Sequence, residues 1–437
     1  MQHDPNVSPQ IQWLCNEGYR WLDEHETALE SGGSGGAFAA SAGSSNRPQR
    51  GRGYGLAAAA DSPAVGKLNA WQHAMLENQR ALRRRAAQRF PAPWKWLWTE
   101  RSLSQASDWW IAHWKASLFP DGCRVTDACC GAGADLVALA AGREATGIDL
   151  DPDVLALAQH NLAQHHRTAT LLSGRCEEQQ LDAGSWLHID PDRRPDDRRT
   201  NRAAKFSPAW QTVTDMVTRV NGAMIKVGPR LETLPYEDPF IDRECLRIWI
   251  GGRGECRQQL LLTGALREYA AAMFGGESRF CVLVEPDSPV DDQSKVEVAT
   301  TLAPTALSIV PAPRAFVFDL HRCLHAAELA GLWGAHFGLH PLTDIGGYYT
   351  GDVPLSSPWV QCFQVLEVLP LDHRQLRRRL RRLGFGPVEV KSRLCTIDAN
   401  RWQKQLATPD GDSVTLLVTR IEGRLRGILA RRVFAHS

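Results

Sequence analysis

The stretch that decides the fold runs from Val125 to Asp135 and reads VTDACCGAGAD. It has the pattern of a buried strand that ends in an acid, Asp127, followed by a tight turn and then by an apolar helix. Gly131 and Gly133 carry no Cβ, so the backbone amides of this turn are open to a bound ligand. The pattern predicts a strand–turn–helix unit that binds a small molecule at the turn.

A second strand and helix follow at the distance that one βαβ step requires. The segment EATGIDL ends its predicted strand at Asp149, where a carboxylate is positioned to accept hydrogen bonds from both hydroxyls of a ribose. A dinucleotide stays open as the ligand, although the glycines do not spell GxGxxG and the carboxylate of Asp127 would repel a pyrophosphate. The aminoacyl end of S-adenosylmethionine fits Asp127 better.

The chain around these two strands alternates short apolar runs with helical stretches, which is typical of an α/β fold with a parallel sheet. Six runs are candidate strands, in the order RVTDAC, EATGIDL, ATLLSG, SWLHID, GAMIKVG and RIWIGG. The fourth run leads into Asp190-Pro191-Asp192-Arg193-Arg194. An acid at that position lies at the carboxyl edge of the sheet, where open α/β folds bind ligands.

These motifs resemble those of the class I S-adenosylmethionine-dependent methyltransferases, which have a Rossmann-like sheet. The resemblance implies that Asp127, Cys129, Gly131 and Gly133 hold the amino-acid part of the cofactor and that Asp149 holds its ribose. Cys129 stands where the family often has a glycine. The family's third motif places an acid near the adenine, where this chain has Ser173 and Gly174, and Glu177 is the candidate substitute.

In amino-methylating relatives the fourth motif reads Asn/Asp-Pro-Pro-aromatic, and the acceptor amine hydrogen-bonds there. This chain keeps Asp190 and Pro191, which are therefore the predicted catalytic residues, but has Asp192 and Arg193 in place of the second proline and the aromatic residue. Arg193 and Arg194 are candidate phosphate contacts. A plain Asp-Pro turn with solvated arginines is the alternative interpretation.

Beyond the sheet, the chain resembles a bacterial group of methyltransferases with a small α+β C-terminal THUMP-like domain. The matching pieces include YYTGD from Tyr348, QVLEVLPLD from Gln364 and GPVEVKSR from Gly386. True THUMP domains bring structured RNA to a catalytic domain. By analogy, the resemblance implies transfer or ribosomal RNA as the substrate.

The helix LDHRQLRRRLRRLGFG supports this analogy with a cluster of arginines. Arg377, Arg378 and Arg381, with Lys391 and Arg393 just beyond, are the candidate RNA contacts of this domain, because such a cluster binds phosphates. The alternative is a solvated helix in a chain that uses arginine more often than lysine.

Composition divides the chain into five parts. We expect an N-terminal helical segment at 1–30, a flexible Gly/Ser/Ala-rich linker at 31–66, a helical region at 67–120, the methyltransferase domain at 121–310 and the THUMP-like domain at 311–437. The linker contains RPQRGRGYG, a single RGG-like piece.

The overall composition is that of a globular protein, with 43% hydrophobic and 23% charged residues and a net charge of +1. No apolar run is long enough for a membrane span. Eleven cysteines without a CxxC pair indicate reduced thiols in a cytoplasmic protein. We expect no metal, although His321 and His325 lie one helical turn apart, and we interpret His160, His165 and His166 as surface residues.

The sequence therefore predicts an S-adenosylmethionine-dependent methyltransferase that acts on structured RNA. Two other hypotheses stay open. One is an RNA-binding protein that keeps the cofactor fold without turnover, which the missing aromatic residue after Pro191 and the weak third motif suggest. The other is a small-molecule methyltransferase whose C-terminal domain serves only as a packing or dimer surface.

Overall fold

A computed structural model of the 437-residue chain describes residues 5–24, 68–192, 201–231, 239–252, 254–274, 278–286, 294–300, 308–343 and 347–433. The predicted linker at 31–66 lies outside the described residues, as do Arg193 and Arg194. The described chain forms two sheets, of nine and seven strands. No helix in these ranges combines the length and the apolar character that crossing a membrane requires.

The first sheet is built from nine strands. They are β1 Arg124–Ala128, β2 Glu144–Asp149, β3 Thr170–Ser173, β4 Trp186–Ile189, β5 Gly222–Val227, β6 Leu246–Gly252, β7 Glu255–Thr263, β8 Arg279–Pro286 and β9 Ser294–Thr300. The helices around them are α1 Pro9–Trp13, α2 19–24, α3 Ala70–Ala86, α4 Glu100–Gln105, α5 Trp109–Ala116, α6 Ala134–Leu139, α7 Pro152–Gln164, α8 Trp210–Val217, α9 Pro239–Glu244 and α10 Gly264–Met273, with a π-helical turn, Leu14–Gly18, between α1 and α2.

The strand order is β3-β2-β1-β4-β5-β7-β6-β8-β9. Strands β1 to β5 are parallel, and β7 inserts antiparallel between β5 and β6. The order runs outward from β1 in both directions, so the gap between β1 and β4 is a topological switch point, where ligands bind beyond the carboxyl ends of the strands.

Helices cover both faces of this sheet, which explains why β4 and β5 are buried along their whole length. One face packs against the N-terminal helical region and α6, α7 and α10, and the other packs against α8 and α9. Trp96 and Trp98 stack on each other, with ring centroids 4.9 Å apart, in the core of the N-terminal region. The aromatic residues of that region are thus mainly core residues.

Asn161 of α7 joins the N-terminal region to the ligand-binding turn. Its side chain accepts a hydrogen bond from the Leu97 backbone N–H (2.9 Å) and donates to the Leu97 carbonyl (3.1 Å) and to the Ala132 carbonyl (2.8 Å). Asn161 and Leu97 are both fully buried. One side chain therefore satisfies backbone groups of two distant segments that water does not reach.

The second sheet begins with β10 Phe316–Leu320. It continues with β11 His340–Pro341, β12 Tyr349–Gly351, β13 Val360–Pro370, β14 Phe385–Ser392, β15 Asp412–Ile421 and β16 Arg424–Arg432, and its helices are α11 Arg322–Ala326, α12 Ala330–His336, α13 His373–Leu383 and α14 Ala399–Leu406. The strand order is β11-β12-β10-β13-β16-β15-β14. The predicted boundary between residues 310 and 311 falls between β9 and β10.

The second sheet curves back on itself through a partly buried ion-pair cluster. Asp319 lies on β10 and Lys391 on β14, which are four positions apart in the strand order. The carboxylate of Asp319 nevertheless accepts a hydrogen bond from Arg393 Nε (3.0 Å) and lies 3.5 Å from Lys391 Nζ. Lys391 also donates to Gln361 of β13 (2.7 Å). These side chains join β10, near the middle of the strand order, to the edge strand β14.

The two sheets share an apolar contact. Trp249 of β6 and Leu283 of β8 belong to the same buried cluster as Phe318 of β10. Gly251 lies at a close approach in this region, because a Cβ there would lie 2.5 Å from Cys323 Sγ. The first sheet is therefore packed directly on the second.

All six predicted strands are present, as is the basic helix (α13). Strands β7, β8 and β9 were not predicted. β7 is the segment ECRQQLLLT, in which charged and polar residues precede an apolar run, so no period of two marks it as a strand.

The contacts of Asn161 predict a large loss of stability when its side chain is removed. In Asn161→Ala we expect the free energy of unfolding to fall by roughly 2–4 kcal/mol, because the Leu97 N–H and carbonyl stay buried without partners. Urea unfolding followed by circular dichroism measures this loss. Gln211→Ala truncates an exposed helical amide and should change stability by less than about 0.5 kcal/mol. Equal losses in the two variants would contradict this role of Asn161.

Candidate active site

A cavity of about 740 Å³ lies at the carboxyl ends of β1, β2 and β4, at the topological switch point. It brings together most of the cofactor and catalytic residues that the sequence predicts: Asp127, Cys129, Gly131, Asp149, Glu177, Asp190 and Pro191. Gly133 does not line the cavity. A Cβ at Gly133 would lie 3.3 Å from the Cβ of Ala158, so this glycine permits the turn to pack against α7.

The turn after β1 has a left-handed backbone at Cys129 (φ 62°), at Gly131 (φ 57°) and at Gly133 (φ 83°). This conformation favours glycine, which explains why the family often has a glycine where this chain has Cys129. The thiol of Cys176 beside it, together with burial, raises the pKa of Cys129 well above its ordinary value. Cys129 is thus a protonated, compact lining residue of the turn.

Backbone N–H groups of the turn after β1 and of the segment after β2 hold the carboxylate of Asp149 in place. Its carboxylate accepts hydrogen bonds from the Gly131 N–H (2.9 Å) and from the Asp151 N–H (3.1 Å). Burial raises the pKa of Asp149 above its ordinary value, while these N–H groups oppose that shift. Because each carboxylate oxygen has more than one acceptor site, Asp149 is still able to accept from the hydroxyls of a ribose.

Asp127 is fully buried and presents one unused oxygen to the cavity. Its Oδ1 lies 2.6 Å from Nδ1 of His188, which is also buried. Its Oδ2 has no hydrogen-bond partner among the described residues. Burial raises the pKa of Asp127, and His188 opposes that rise. An amino group, such as that of S-adenosylmethionine, would supply the missing partner, so this residue fits the predicted cofactor.

Glu177 lies at the far wall of the cavity in a short 3₁₀ turn after β3. Arg175 donates to its carboxylate from Nε (2.8 Å) and lies within 2.6 Å through a second nitrogen. Burial favours the neutral acid, but the Glu177 backbone N–H and Arg175 lower its pKa overall. Glu177, the acid that the sequence predicts near the adenine, is therefore paired with Arg175.

The carboxylate of Asp190 is held by a lysine that the sequence analysis missed. Nζ of Lys226, on β5, donates to Oδ2 of Asp190 (2.5 Å) and to the carbonyl of Gln105 (3.3 Å). Only 6% of the Lys226 side chain is exposed. Since β4 and β5 are adjacent in the sheet, this ion pair follows directly from the strand order. It leaves Oδ1 of Asp190 for another partner.

A second buried lysine supports the same region. Nζ of Lys115 lies 2.6 Å from Oδ1 of Asp135 and donates to Ser107 Oγ (2.9 Å), whose hydroxyl donates to Asp135 Oδ2 (2.8 Å). Lys226 lies 3.7 Å from the same carboxylate. Burial alone would raise the pKa of Asp135, but the two ammonium groups outweigh it and lower that pKa below its ordinary value.

The signal for these residues was present in the sequence. Lys226 interrupts the otherwise apolar strand GAMIKV, and Asp135 begins an apolar helix. A charged residue in such a run is stable in a core only when it has a buried partner. Which partner it has depends on the three-dimensional arrangement of α5, α6 and β5, which no local pattern reveals.

Asp192 closes the acceptor side of the cavity. Its carboxylate accepts hydrogen bonds from Arg101 (2.6 Å) and from Gln105 Nε2 (3.0 Å), both on α4. Its backbone pairs with Ser207, with N···O distances of 2.7 and 3.0 Å. The loop that carries Asp190 and Pro191 is therefore anchored at its far end. The predicted phosphate contacts Arg193 and Arg194 lie outside the described residues.

The candidate RNA contacts of the second sheet divide into two groups. Arg377, Arg378 and Arg381 are exposed on α13 and form no ion pair within the described chain. Lys391 and Arg393 are instead paired with Asp319. Their charge is largely compensated inside the protein, so they hold the sheet together, and nothing in their contacts favours a role in binding phosphate.

The histidines differ from the expectation. His160 is 3% exposed, and His165 packs against Trp96 and Trp109, with ring centroids 4.6 and 5.1 Å apart. Burial lowers the pKa of His165 to about 3. The prediction of surface residues was therefore wrong for these two. Among the described residues, no group of three or more His, Cys, Asp or Glu is arranged to hold a metal.

Comparison with known proteins identifies relatives over most of the chain. It is 28% identical over 340 residues to an uncharacterised S-adenosylmethionine-dependent methyltransferase of Mycobacterium tuberculosis, known from two strains. The match covers 75% of this chain and 85% of the relative. Residues 360–432 match the THUMP domain-like family model.

A crystal structure of a proposed methyltransferase from Porphyromonas gingivalis W83 has the same fold. It superimposes with a TM-score of 0.62 at 15% identity, over 85% of this chain and 93% of the other. The predicted family is confirmed. The chain is a class I S-adenosylmethionine-dependent methyltransferase with a C-terminal THUMP-like domain. The match to the THUMP-like family begins at β13 of the second sheet and ends at β16.

The predicted cofactor of the methyltransferase is therefore S-adenosylmethionine. The residues present fit it, since the cavity offers an unpartnered carboxylate oxygen at Asp127, an open turn at Gly131 and an acceptor at Asp149.

The buried pair of Lys115 and Asp135 predicts a strong dependence of stability on its positive charge. In Lys115→Met we expect the free energy of unfolding to fall by roughly 3–5 kcal/mol, because Asp135 loses its nearest cation. Urea unfolding of the two proteins measures the difference. Lys404→Met removes an exposed lysine and should cost less than about 0.5 kcal/mol.

A second substitution separates lost charge compensation from lost packing. Adding Asp135→Asn to Lys115→Met removes the uncompensated carboxylate and should restore part of the stability. A double variant that is less stable than Lys115→Met would contradict the pairing.

Proposed function

We propose that this methyltransferase methylates an amine of a nucleotide in structured RNA, either transfer or ribosomal RNA, and that the THUMP-like domain helps to bind that RNA. The observation that carries the proposal is the shared cavity, in which the turn with Gly131 and Asp149 lies together with Asp190. Cofactor and acceptor residues thus line one space of about 740 Å³. That arrangement suits transfer of a group between two bound molecules.

The proposed cofactor contacts use two carboxylates. One oxygen of Asp127 has no partner among the described residues, and backbone N–H groups hold the carboxylate of Asp149 in place. Asp127 Oδ2 takes the amino group, the turn at Cys129 and Gly131 takes the carboxylate end, and Asp149 takes the ribose hydroxyls. Glu177 lies on the adenine side. S-adenosylmethionine, when bound, supplies a methyl group on an activated sulfonium, so the protein mainly has to position the acceptor.

On the acceptor side, Asp190 is the proposed catalytic residue. Lys226 holds Oδ2, so the carboxylate is fixed in one orientation with Oδ1 available. Oδ1 accepts a hydrogen bond from the acceptor amine and takes up the proton that the amine releases. Pro191, which is buried in the cavity wall, restricts the backbone that carries this carboxylate.

Binding of RNA is the second half of the proposal. The exposed guanidinium groups of Arg377, Arg378 and Arg381 on α13 are available for phosphates, and the match of residues 360–432 to a THUMP-like family supports this role. The domain limits 121–310 and 311–437 are part of the proposal. So is a cytoplasmic location, which the eleven free cysteines support.

The cofactor site is tested by calorimetric titration with S-adenosylmethionine. We expect the wild-type protein to bind it and Asp149→Ala to bind it about 10–100-fold more weakly, because a charged acceptor of two hydroxyl hydrogen bonds is lost. Asp215→Ala removes an exposed acid on α8 and should leave affinity unchanged. No binding by the wild type, with or without transfer RNA present, would contradict the proposed site.

The substrate is tested with tritiated S-adenosylmethionine and unmodified transfer and ribosomal RNA. Replacing Arg377, Arg378 and Arg381 together by glutamine should weaken RNA binding and reduce the slope of log K against log salt by roughly 2–3, because three phosphate contacts are lost. Asp190→Asn should bind RNA normally and lower kcat by about 10²-fold or more.

The two variants separate the three hypotheses about function. RNA that binds through α13 without ever being methylated would indicate a non-catalytic RNA-binding protein. Cofactor binding by a protein whose arginine substitutions leave RNA affinity unchanged would favour a small-molecule substrate.

A further inference from the structure

Two hydrogen-bond donors on β7 have no partner among the described residues and belong to side chains that line the cavity. They are Nε2 of Gln258 and Nε of Arg257, and both atoms are inaccessible to solvent. Gln258 is only 3% exposed, yet it lines the cavity, as does Arg257. A buried amide without a hydrogen bond costs about 1–3 kcal/mol, so an unpaired donor in a functional cavity points to a ligand that pairs with it.

The strand order places Gln258 close to the proposed catalytic carboxylate. Asp190 follows β4, β5 carries Lys226 beside it, and β7 is the next strand. Lys226 is in register with Leu260, two residues from Gln258, so all three side chains lie on one face of the sheet. Adjacent strands are about 4.8 Å apart, and β5 lies between the two strands, so the backbones that carry Asp190 and Gln258 are about two strand spacings apart across Lys226.

The charge of this end of the cavity favours a neutral ligand. The carboxylates of Asp190 and Asp192 are already paired, with Lys226 and Arg101 respectively. A phosphate would meet both carboxylates, whereas a neutral heterocycle meets one acceptor, Oδ1 of Asp190, and one donor, Nε2 of Gln258. A nucleobase that carries an exocyclic amine beside a ring nitrogen acceptor has the complementary pattern.

We propose that Gln258 is a specificity-determining residue of the acceptor site. Its amide donates a hydrogen bond to the ring nitrogen that lies beside the amine held by Asp190. The substrate class is therefore an adenine, cytosine or guanine base, recognised along the edge that carries its amine. This inference rests on the proposed function, since it assigns the acceptor of that same site.

The test measures binding of nucleosides and needs no RNA turnover. The protein is first saturated with S-adenosylhomocysteine, so that adenosine cannot occupy the cofactor site. Adenosine, cytidine and guanosine are then titrated by calorimetry and by saturation-transfer NMR, each beside its counterpart without the amine (purine riboside, 2-pyrimidinone riboside and inosine). We expect one of the three amine-bearing nucleosides to bind roughly tenfold more tightly than its counterpart.

Gln258→Leu should weaken binding of that nucleoside by roughly tenfold and leave affinity for S-adenosylhomocysteine unchanged. Gln259→Leu is the matched control. Gln259 is equally buried, at 3%, points to the opposite face of β7 and does not line the cavity. Its substitution tests the loss of a buried amide in the same strand and should leave nucleoside affinity unchanged. Gln258→Met takes the place of the leucine variant if that protein does not fold.

Two results would overturn the inference. One is wild-type nucleoside affinity in a folded Gln258→Leu or Gln258→Met protein, and the other is a wild-type protein that binds none of the three nucleosides. Failure to methylate any RNA, with nucleoside recognition intact, would instead reject RNA as the substrate and leave the role of Gln258 standing. The two failures are thus distinguishable.

Discussion

The compensation of Asp135 and Asp190 by two buried lysines is the constraint on which this side of the cavity depends. Lys115 and Lys226 reach Asp135 and Asp190 from α5 and from β5, at a place where neither charge has access to bulk water. Removing one partner from such a cluster leaves an uncompensated buried charge. The resulting loss of folding free energy is far larger than the net stabilisation that the intact pair provides. The cluster therefore fixes the relative positions of the helical region, α6 and the central strands.

In the proposed mechanism, the same compensation holds the carboxylate of Asp190 for proton uptake. A carboxylate surrounded only by apolar groups would be protonated and would no longer accept a proton from an amine. At Asp190 one oxygen is hydrogen-bonded to Lys226, so this contact sets the orientation of the carboxylate. Asp127 receives its support differently, from the imidazole of His188.

The parallel sheet and both motif turns were predictable from the sequence, because they follow from local patterns: buried runs that end in Asp127 and Asp149 and glycines at the turn. The C-terminal basic helix was predictable for the same reason. The contacts of Lys226 were not, since they join elements that are distant along the chain. Arg393 shows the same limit, since the sequence predicts that it contacts RNA but does not reveal its ion pair with Asp319 of its own domain.

Asn161 has a consequence for how the two ends of the first domain influence each other. One amide group bonds to the helical region at Leu97 and to the turn at Ala132, so order in one segment supports order in the other. A ligand that binds only the ordered turn stabilises that state by mass action. The free energy of cofactor binding is therefore shared with the helical region, and this region, although it does not itself carry the motifs, contributes to the affinity of the site.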